Sequence, residues 1–209
     1  MPDRAMLVLP DEQGVRLELG EYRRDFAERQ GRIRNRSSWK FERQQHFKQP
    51  GDPSWEAFRE GRWDEALRLL EQERPEFEQE AQEDAARAHW FHRVRIVAEP
   101  LTPYVQWELH SLWIQAECGE RIRVVPDAAV RHLEGDTQLP EVVVLGGETL
   151  YQVCYTEAGA LDGGIRFTHP ELVGNWERFI AELYATGEDM RAYAERYLAH
   201  LPPPQSQSR

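Results

Sequence analysis

Two arginines at alternate positions, Arg93 and Arg95, are closely followed by Glu99, Tyr104, Trp107 and Glu108, with Gln106 and His110 between and after them. Guanidinium groups bind carboxylates and phosphates through paired hydrogen bonds. A phenol or carboxylate beside such a group could move a proton. One reading of the stretch is therefore a site for a phosphate ester, a nucleotide or the polar groups of a partner. The other is an internal ion-pair network that orients a loop, and it carries more weight because structural networks perturb charges as sites do. Tyr104 and Glu108 are four apart and share one helix flank. Glu99 or Glu108 is placed to pair with Arg95. Arg93, Arg95, Glu99, Tyr104, Trp107 and Glu108 are the candidate binding residues, and no catalytic residue is assigned.

Other motifs carry less chemistry. His46-x-Lys48 followed by Asp52 resembles half of a phospholipase-D-type motif, but its spacing is short by one and Lys40 is the only other lysine for a second copy. His89 and His92 could form a metal pair on one helical turn, yet a third close ligand is missing. The ordinary reading is an amphipathic helix end packed on a sheet. Cys118 and Cys154 form no C-x-x-C, and two reduced, packed thiols are expected. A G-x-S-x-G elbow, a P-loop and a dinucleotide fingerprint are all absent from the sequence, and Gly146-Gly147 and Gly163-Gly164 read as turns. No metal and no cofactor is expected.

The elements around the main constellation place it. Residues 92–98 alternate as a strand, with Val94 and Ile96 on one side and Arg93 and Arg95 on the other. Thr102-Pro103 opens a helix with a capping hydroxyl and a proline at the first position. Val105, Leu109, Leu112 and Ala116 give its core stripe, and Gly119 ends it. Residues 121–125 are a second strand. Strand, helix and strand form a βαβ unit, so the two strands are expected to be parallel with a right-handed crossover. The loop from Glu99 to Tyr104 then lies beyond a strand's C-terminal end and at a helix start, where ligands of parallel sheets bind.

Upstream, residues 6–9 and 15–19 read as a hairpin, Tyr22 and Phe26 as a helix ending near Gly31, and 32–50 as a basic arm with one strand. Asp52-Pro53 starts a helix, and Trp63, Ala66, Leu67 and Leu70 stripe the next. Pro75 starts a third, with Phe77, Ala81, Ala85 and Ala88 on one side. Glu60 to Leu67 looks like part of a tetratricopeptide-type hairpin, but a single copy cannot build a solenoid. Downstream, a short helix over 127–133 precedes a buried strand at Val142–Leu145. A meander continues through 150–155 and 164–167, and two helices start at Pro170 and near Met190.

The reading is a mixed α/β (α+β) fold: a βαβ unit plus an antiparallel meander in one sheet, flanked by helices. It forms a single domain over 1–201, made of an N-terminal hairpin and basic arm (1–50), a helical hairpin (51–91) and an α/β core (92–201). A disordered tail follows at 202–209.

The chain has 209 residues and a formal net charge of −11. That balance argues against generic nucleic-acid or acidic-membrane binding by the whole surface. The charge is uneven, since residues 23–48 carry nine cations and three acids while 52–87 carry twelve acids and five arginines. The simplest account is that these neighbours face each other in the fold or are solvated. No stretch approaches a membrane span, and Met1-Pro2-Asp3-Arg4 lacks a signal-peptide pattern, so a cytoplasmic protein is expected.

Three segments carry a family likeness: the run from Arg93 to Leu109 (with Glu99-Pro100-Leu101-Thr102 and Trp107-Glu108 inside it), Gly119 to Pro126, and Trp63-Asp64-Glu65-Ala66-Leu67. Through them the chain resembles an uncharacterised actinobacterial family of unknown function, often encoded near helix-turn-helix regulators. The resemblance spans most of 20–200 and carries no activity with it. It implies a regulatory or protein-interaction domain whose partner is a protein, such as a helix-turn-helix regulator. The charge balance, not the resemblance, argues against a membrane and against direct nucleic-acid binding. The alternative is a phosphate-ester or nucleotide-processing enzyme built on Arg95, Glu99 and Tyr104. An acidic nucleic-acid mimic or a DNA-contacting arm is a third option.

Overall fold

The computed structural model describes residues 4–135 and 137–204. Eight strands contribute to one mixed sheet: β1 (Val15–Glu18), β2 (Arg36–Glu42), β3 (His89–Val97), β4 (Arg121–Pro126), β5 (Val142–Leu145), β6 (Thr149–Tyr155), β7 (Leu161–Phe167) and β8 (Glu188–Asp189). Their spatial order is β1-β7-β6-β5-β2-β3-β4-β8. The fold is thus mixed α+β, as the sequence indicates. The β3–β4 pair is parallel, in the register His92↔Arg121 to Val97↔Pro126. The β5–β6 and β6–β7 pairs form the antiparallel meander.

The helices begin where local chemistry says they should. Asp52 accepts a hydrogen bond from the Trp55 amide at 2.8 Å and Pro53 opens α2 (Pro53–Arg59). Thr102 accepts from the Val105 amide at 3.1 Å and Pro103 opens α5 (Pro103–Glu117). Proline costs nothing at a first helical position, because its missing N–H would have no partner there. Gly119, at φ +115°, ends the α5 turn in a conformation that favours glycine. The remaining helices are α1 (Leu19–Arg32), α3 (Trp63–Gln72), α4 (Arg74–Ala86), α6 (Ala128–Arg131), α7 (Pro170–Thr186) and α8 (Met190–Arg196). None of the described helices is long and apolar enough to cross a membrane. Cys118 and Cys154 are both free.

Several expectations need correction. Residues 6–9 and 15–19 do not form a hairpin. Arg4–Leu7 is a 3-10 turn, and β1 pairs antiparallel with β7 at the sheet edge. Pro10, which has no N–H to donate, follows the first segment directly. The segment 32–50 is not an arm. Its residues 36–42 are β2, which sits in the sheet interior, parallel to β3 and antiparallel to β5. Strand β3 starts at His89, so His89 and His92 lie on opposite faces of a strand rather than on one helical turn. His89 Nε2 meets Ser38 Oγ at 2.8 Å, whereas the His92 ring stacks on Trp39 at 4.1 Å. Of the tail expected to be disordered, residues 205–209 lie outside the described residues, and the Pro202 carbonyl accepts from Gln106 Nε2 at 2.8 Å.

The two sheet faces are covered differently. One face packs Phe41, Val94, Ile96, Val144 and Phe167 against Trp176, Phe179 and Ile180 of α7. The other face carries two separate apolar clusters. Tyr22 of α1 covers Val143, Tyr151 and Val153. Helices α2, α3, α5 and α8 gather Trp55, Leu70, Leu109, Met190 and their neighbours over Ile122 and Val124. The sheet surface between these clusters, contributed by β2 and β3, carries Lys40, Glu42, Arg93 and Arg95 beside Phe91.

Candidate functional site

Parallel pairing puts Lys40 beside Arg93 and Glu42 beside Arg95. Side chains alternate across a strand, so these four share one face, opposite Trp39, Phe41, Val94 and Ile96. Arg95 is fully buried. Its Nε and Nη2 both lie 2.7 Å from Glu108 Oε2, and Nη1 donates to the Ile96 carbonyl at 2.8 Å. Tyr104 donates to Glu108 Oε1 at 3.3 Å and accepts from Gln49 Nε2 at 3.1 Å. Glu42 takes Lys40 Nζ at 2.5 Å and Arg93 Nη1 at 3.4 Å. Arg93 also reaches Glu120 at 3.2 Å.

A third buried carboxylate closes the network. Glu141 precedes β5, and its Oε1 accepts the backbone N–H groups of Arg43 and Gln44, each at 2.6 Å. Its Oε2 has no hydrogen-bond partner. Burial, reinforced by Glu42, pushes the Glu141 carboxyl up to about 8. Burial acts upward on Glu42 too, but Lys40, Arg93 and Arg95 outweigh it and hold that carboxyl at about 2. Burial and Glu42 raise Glu108 against the pull of Arg95. Gln45 ties the two strand ends together, donating to the Ile96 carbonyl and accepting the Ala98 N–H, both at 2.9 Å.

The six residues singled out in the sequence therefore separate. Arg93, Arg95, Tyr104 and Glu108 meet. Glu99 does not join them: it is exposed and accepts from the Tyr193 hydroxyl at 3.5 Å. The Arg95/Glu99/Tyr104 trio is accordingly not assembled as one cluster. Trp107 points into the core, donating to Ser54 Oγ at 2.9 Å and stacking on Phe58. His110 packs edge-on against Trp63. Asp52 serves as the α2 cap, and His46 lies against the Tyr104 ring. Among the described residues, no group of three or more His, Cys, Asp or Glu could hold a metal ion.

Sequence reasoning missed Lys40, Glu42 and Glu141. A signal for the first two exists, since Ser38-Trp39-Lys40-Phe41-Glu42 alternates with period two. The same run sits within a basic, amide-rich stretch, which hides it. Glu141 gives no such signal, because its role depends on the backbone of a segment almost a hundred residues earlier.

The polar sheet surface opens into a cleft of about 1,010 Å³. Tyr22 and Phe26 of α1 line one side, Ala81 and Glu83 of α4 the other, and Lys40 and Arg93 lie at its base. Both lysines of the chain, Lys40 and Lys48, line this cleft.

The chain belongs to the family defined by the domain of unknown function DUF6879, which it matches over residues 24–195. No curated protein matches it.

Proposed function

We propose that the protein is a non-enzymatic protein-interaction domain that holds a segment of a partner protein in the cleft between α1 and α4, acting as a regulatory partner in the cytoplasm. One observation supports this reading above the rest: the cations at the base of the cleft already have carboxylate partners. Lys40 and Arg93 share Glu42, and Arg95 is sealed behind Glu108. A phosphate at Lys40 or Arg93 would have to displace Glu42, and Arg95 could not reach it. The aromatic side formed by Tyr22 and Phe26 offers apolar area, which suits a polypeptide better than a phosphate ester. A helix-turn-helix regulator is the first partner to test, by association with the family resemblance alone.

The test places a photo-crosslinking amino acid at Gln30 or Gln82, which line the cleft, and at Arg178, which is exposed on α7. Irradiation in the native host should give a defined protein adduct from the two cleft positions and none from 178. Adducts to small molecules only, or the same adducts from all three positions, would sink the reading.

A further inference from the structure

Helix α4 carries five acids, Glu76, Glu78, Glu80, Glu83 and Asp84, and one arginine, Arg74. Asp84 is paired by Arg87. Among the described residues, Glu76, Glu78, Glu80 and Glu83 form no ion pair, although most of the chain's other arginines do engage a carboxylate. The basic stretch 23–48 does not neutralise them. Its ion pairs go to Asp25, Glu28, Glu42, Glu134 and Glu148, and none goes to an acid of 52–87. The two oppositely charged neighbours therefore line one cleft without forming ion pairs to each other, and the alternative of a solvated charged face stands for α4. Glu80 responds to this surplus: partial burial and the carboxylates of Glu120, Asp84, Glu76 and Glu83 all raise its pKa.

The same helix presents an apolar stripe. Phe77, Ala81 and Ala85 follow one another at intervals of four and all line the cleft. No residue of α4 is buried, so the chain's own core leaves this stripe partly open. Glu80 and Glu83 lie to one side of the stripe and also line the cleft. Across from them stand Tyr22, Phe26, Ala27 and Gln30 of α1, none of them charged, with Lys40, Glu42 and Arg93 at the base between the two sides. One side of the groove is thus uncharged and the other apolar with an unmatched negative rim.

We propose that the occupant of the cleft is a basic amphipathic helix of a partner protein, an inference that rests on the protein-interaction reading above. Its apolar side packs between Phe26 and the Phe77–Ala81–Ala85 stripe, and its lysines or arginines meet Glu80 and Glu83. The cleft volume of about 1,010 Å³ is of the right order. A helix 10–12 Å across that rises 1.5 Å per residue fills the cleft with roughly two turns. Helix-in-groove recognition uses the same pattern of i, i+3, i+4 anchors.

The test uses two synthetic amphipathic peptides with identical leucine and alanine faces. One has lysine and arginine on its polar face, the other glutamate. Fluorescence anisotropy with the full chain at physiological salt should show saturable binding of the basic peptide and none of the acidic one. Glu80→Lys combined with Glu83→Lys should weaken binding at least tenfold. Glu12→Lys with Glu171→Lys makes the same change in net charge at exposed, remote positions and should alter it less than twofold. Ala81→Trp, checked for folding by circular dichroism, should block binding by filling the groove. Equal losses in the two charge-reversed variants would mean attraction to the acidic chain as a whole and would overturn the proposal. Absence of binding by the basic peptide, or preference for the acidic one, would overturn it too. In either case protein adducts from positions 30 and 82 would leave the protein-interaction reading standing, and their absence would remove both.

Discussion

Arg95 and Glu108 show how far single residues could be read from the chain. The spacing of Tyr104 and Glu108 placed both on one helix flank, and Arg95 was expected to pair with either Glu99 or Glu108. The structure joins the three. Glu99 fitted the same pattern in sequence but sits on an exposed turn, where solvent competes for its charge. Removing one member of a buried pair leaves the other charge unmatched, at a cost of about 3–5 kcal/mol. Arg95→Met should lower stability by about that much in chemical denaturation. The double variant Arg95→Met/Glu108→Leu should recover most of the loss, since a well-packed apolar pair can replace a buried ion pair. A double variant no more stable than the single one would show that the pair does more than neutralise itself. Glu141 leads to a pH prediction. Its carboxyl is raised from 4.5 to about 8 by burial and by Glu42, with Arg95 opposing. The folded state therefore favours the protonated form. That stabilisation is fully present below pH 4.5 and is lost as pH rises through about 8. A tenfold change in proton affinity corresponds to about 1.4 kcal/mol. Glu141→Gln can keep both backbone hydrogen bonds through its amide oxygen while losing the charge. It should flatten the decline in melting temperature between pH 4.5 and 8 and exceed the parent at pH 8. An unchanged slope would place the titrating group elsewhere. Glu42 acts in the opposite direction, its contribution fading as pH falls from 4.5 toward 2.

Elements were legible where their start signals are local. Asp52-Pro53, Thr102-Pro103 and Pro170 each opens a helix, and the continuous apolar run Val142–Leu145 is a buried strand. One strand was expected within 32–50, but its bounds and its place inside the sheet were hidden because its cleft-facing side is Ser38, Lys40 and Glu42, polar residues that a buried strand rarely carries. The edge strand β1 escaped because its partner, β7, lies almost 150 residues away. That pairing also explains Gly163, which sequence reasoning treated only as part of a turn. Gly163 has φ +115°, and a Cβ there would sit 2.3 Å from the Leu17 carbonyl oxygen. Both the backbone conformation and the close strand approach need glycine. Gly163→Ala should detach β1 from β7 and cost about 2 kcal/mol or more, within the range for strained backbone positions. Hydrogen exchange should report it as faster exchange at Val15 to Glu18 with little change at β3. Unaltered protection of β1 would contradict the close approach.

At the scale of the molecule, the parallel β3–β4 unit and the meander were readable, but the order of strands was not. Placing β2 between β5 and β3 joins the N-terminal segment to the middle of the sheet, and only long-range pairing decides that. The same arrangement sets the two apolar clusters of one face on either side of the charged β2 and β3 surface, with Tyr155 packed against both, and the cleft lies between them. Charge distribution follows from this as well. Arg29, Arg32, Arg36, Lys40 and Arg43 pair with Asp25, Glu28, Glu148, Glu42 and Glu134, and among the described residues no cation of 23–48 pairs with α4, which keeps its surplus of carboxylates. Like charges at i, i+4 on a helix destabilise it by about 0.2–0.5 kcal/mol per pair. Glu76, Glu80 and Asp84 form two such pairs. Glu80→Lys turns both from repulsive to attractive, a gain of about 1 kcal/mol, or about 2–4 °C in melting temperature for a chain of this size. A surface kept below its attainable stability is expected where charge serves binding rather than folding. Glu80→Lys should therefore melt higher than the parent while binding the basic peptide less tightly, the two effects moving in opposite directions. Raising the salt concentration should shrink the stability gain, because screening weakens the repulsion that the substitution relieves. A Glu80→Lys protein that melts lower than the parent at low salt would mean that Glu80 supports the fold, and the acidic rim would then need no partner to account for it.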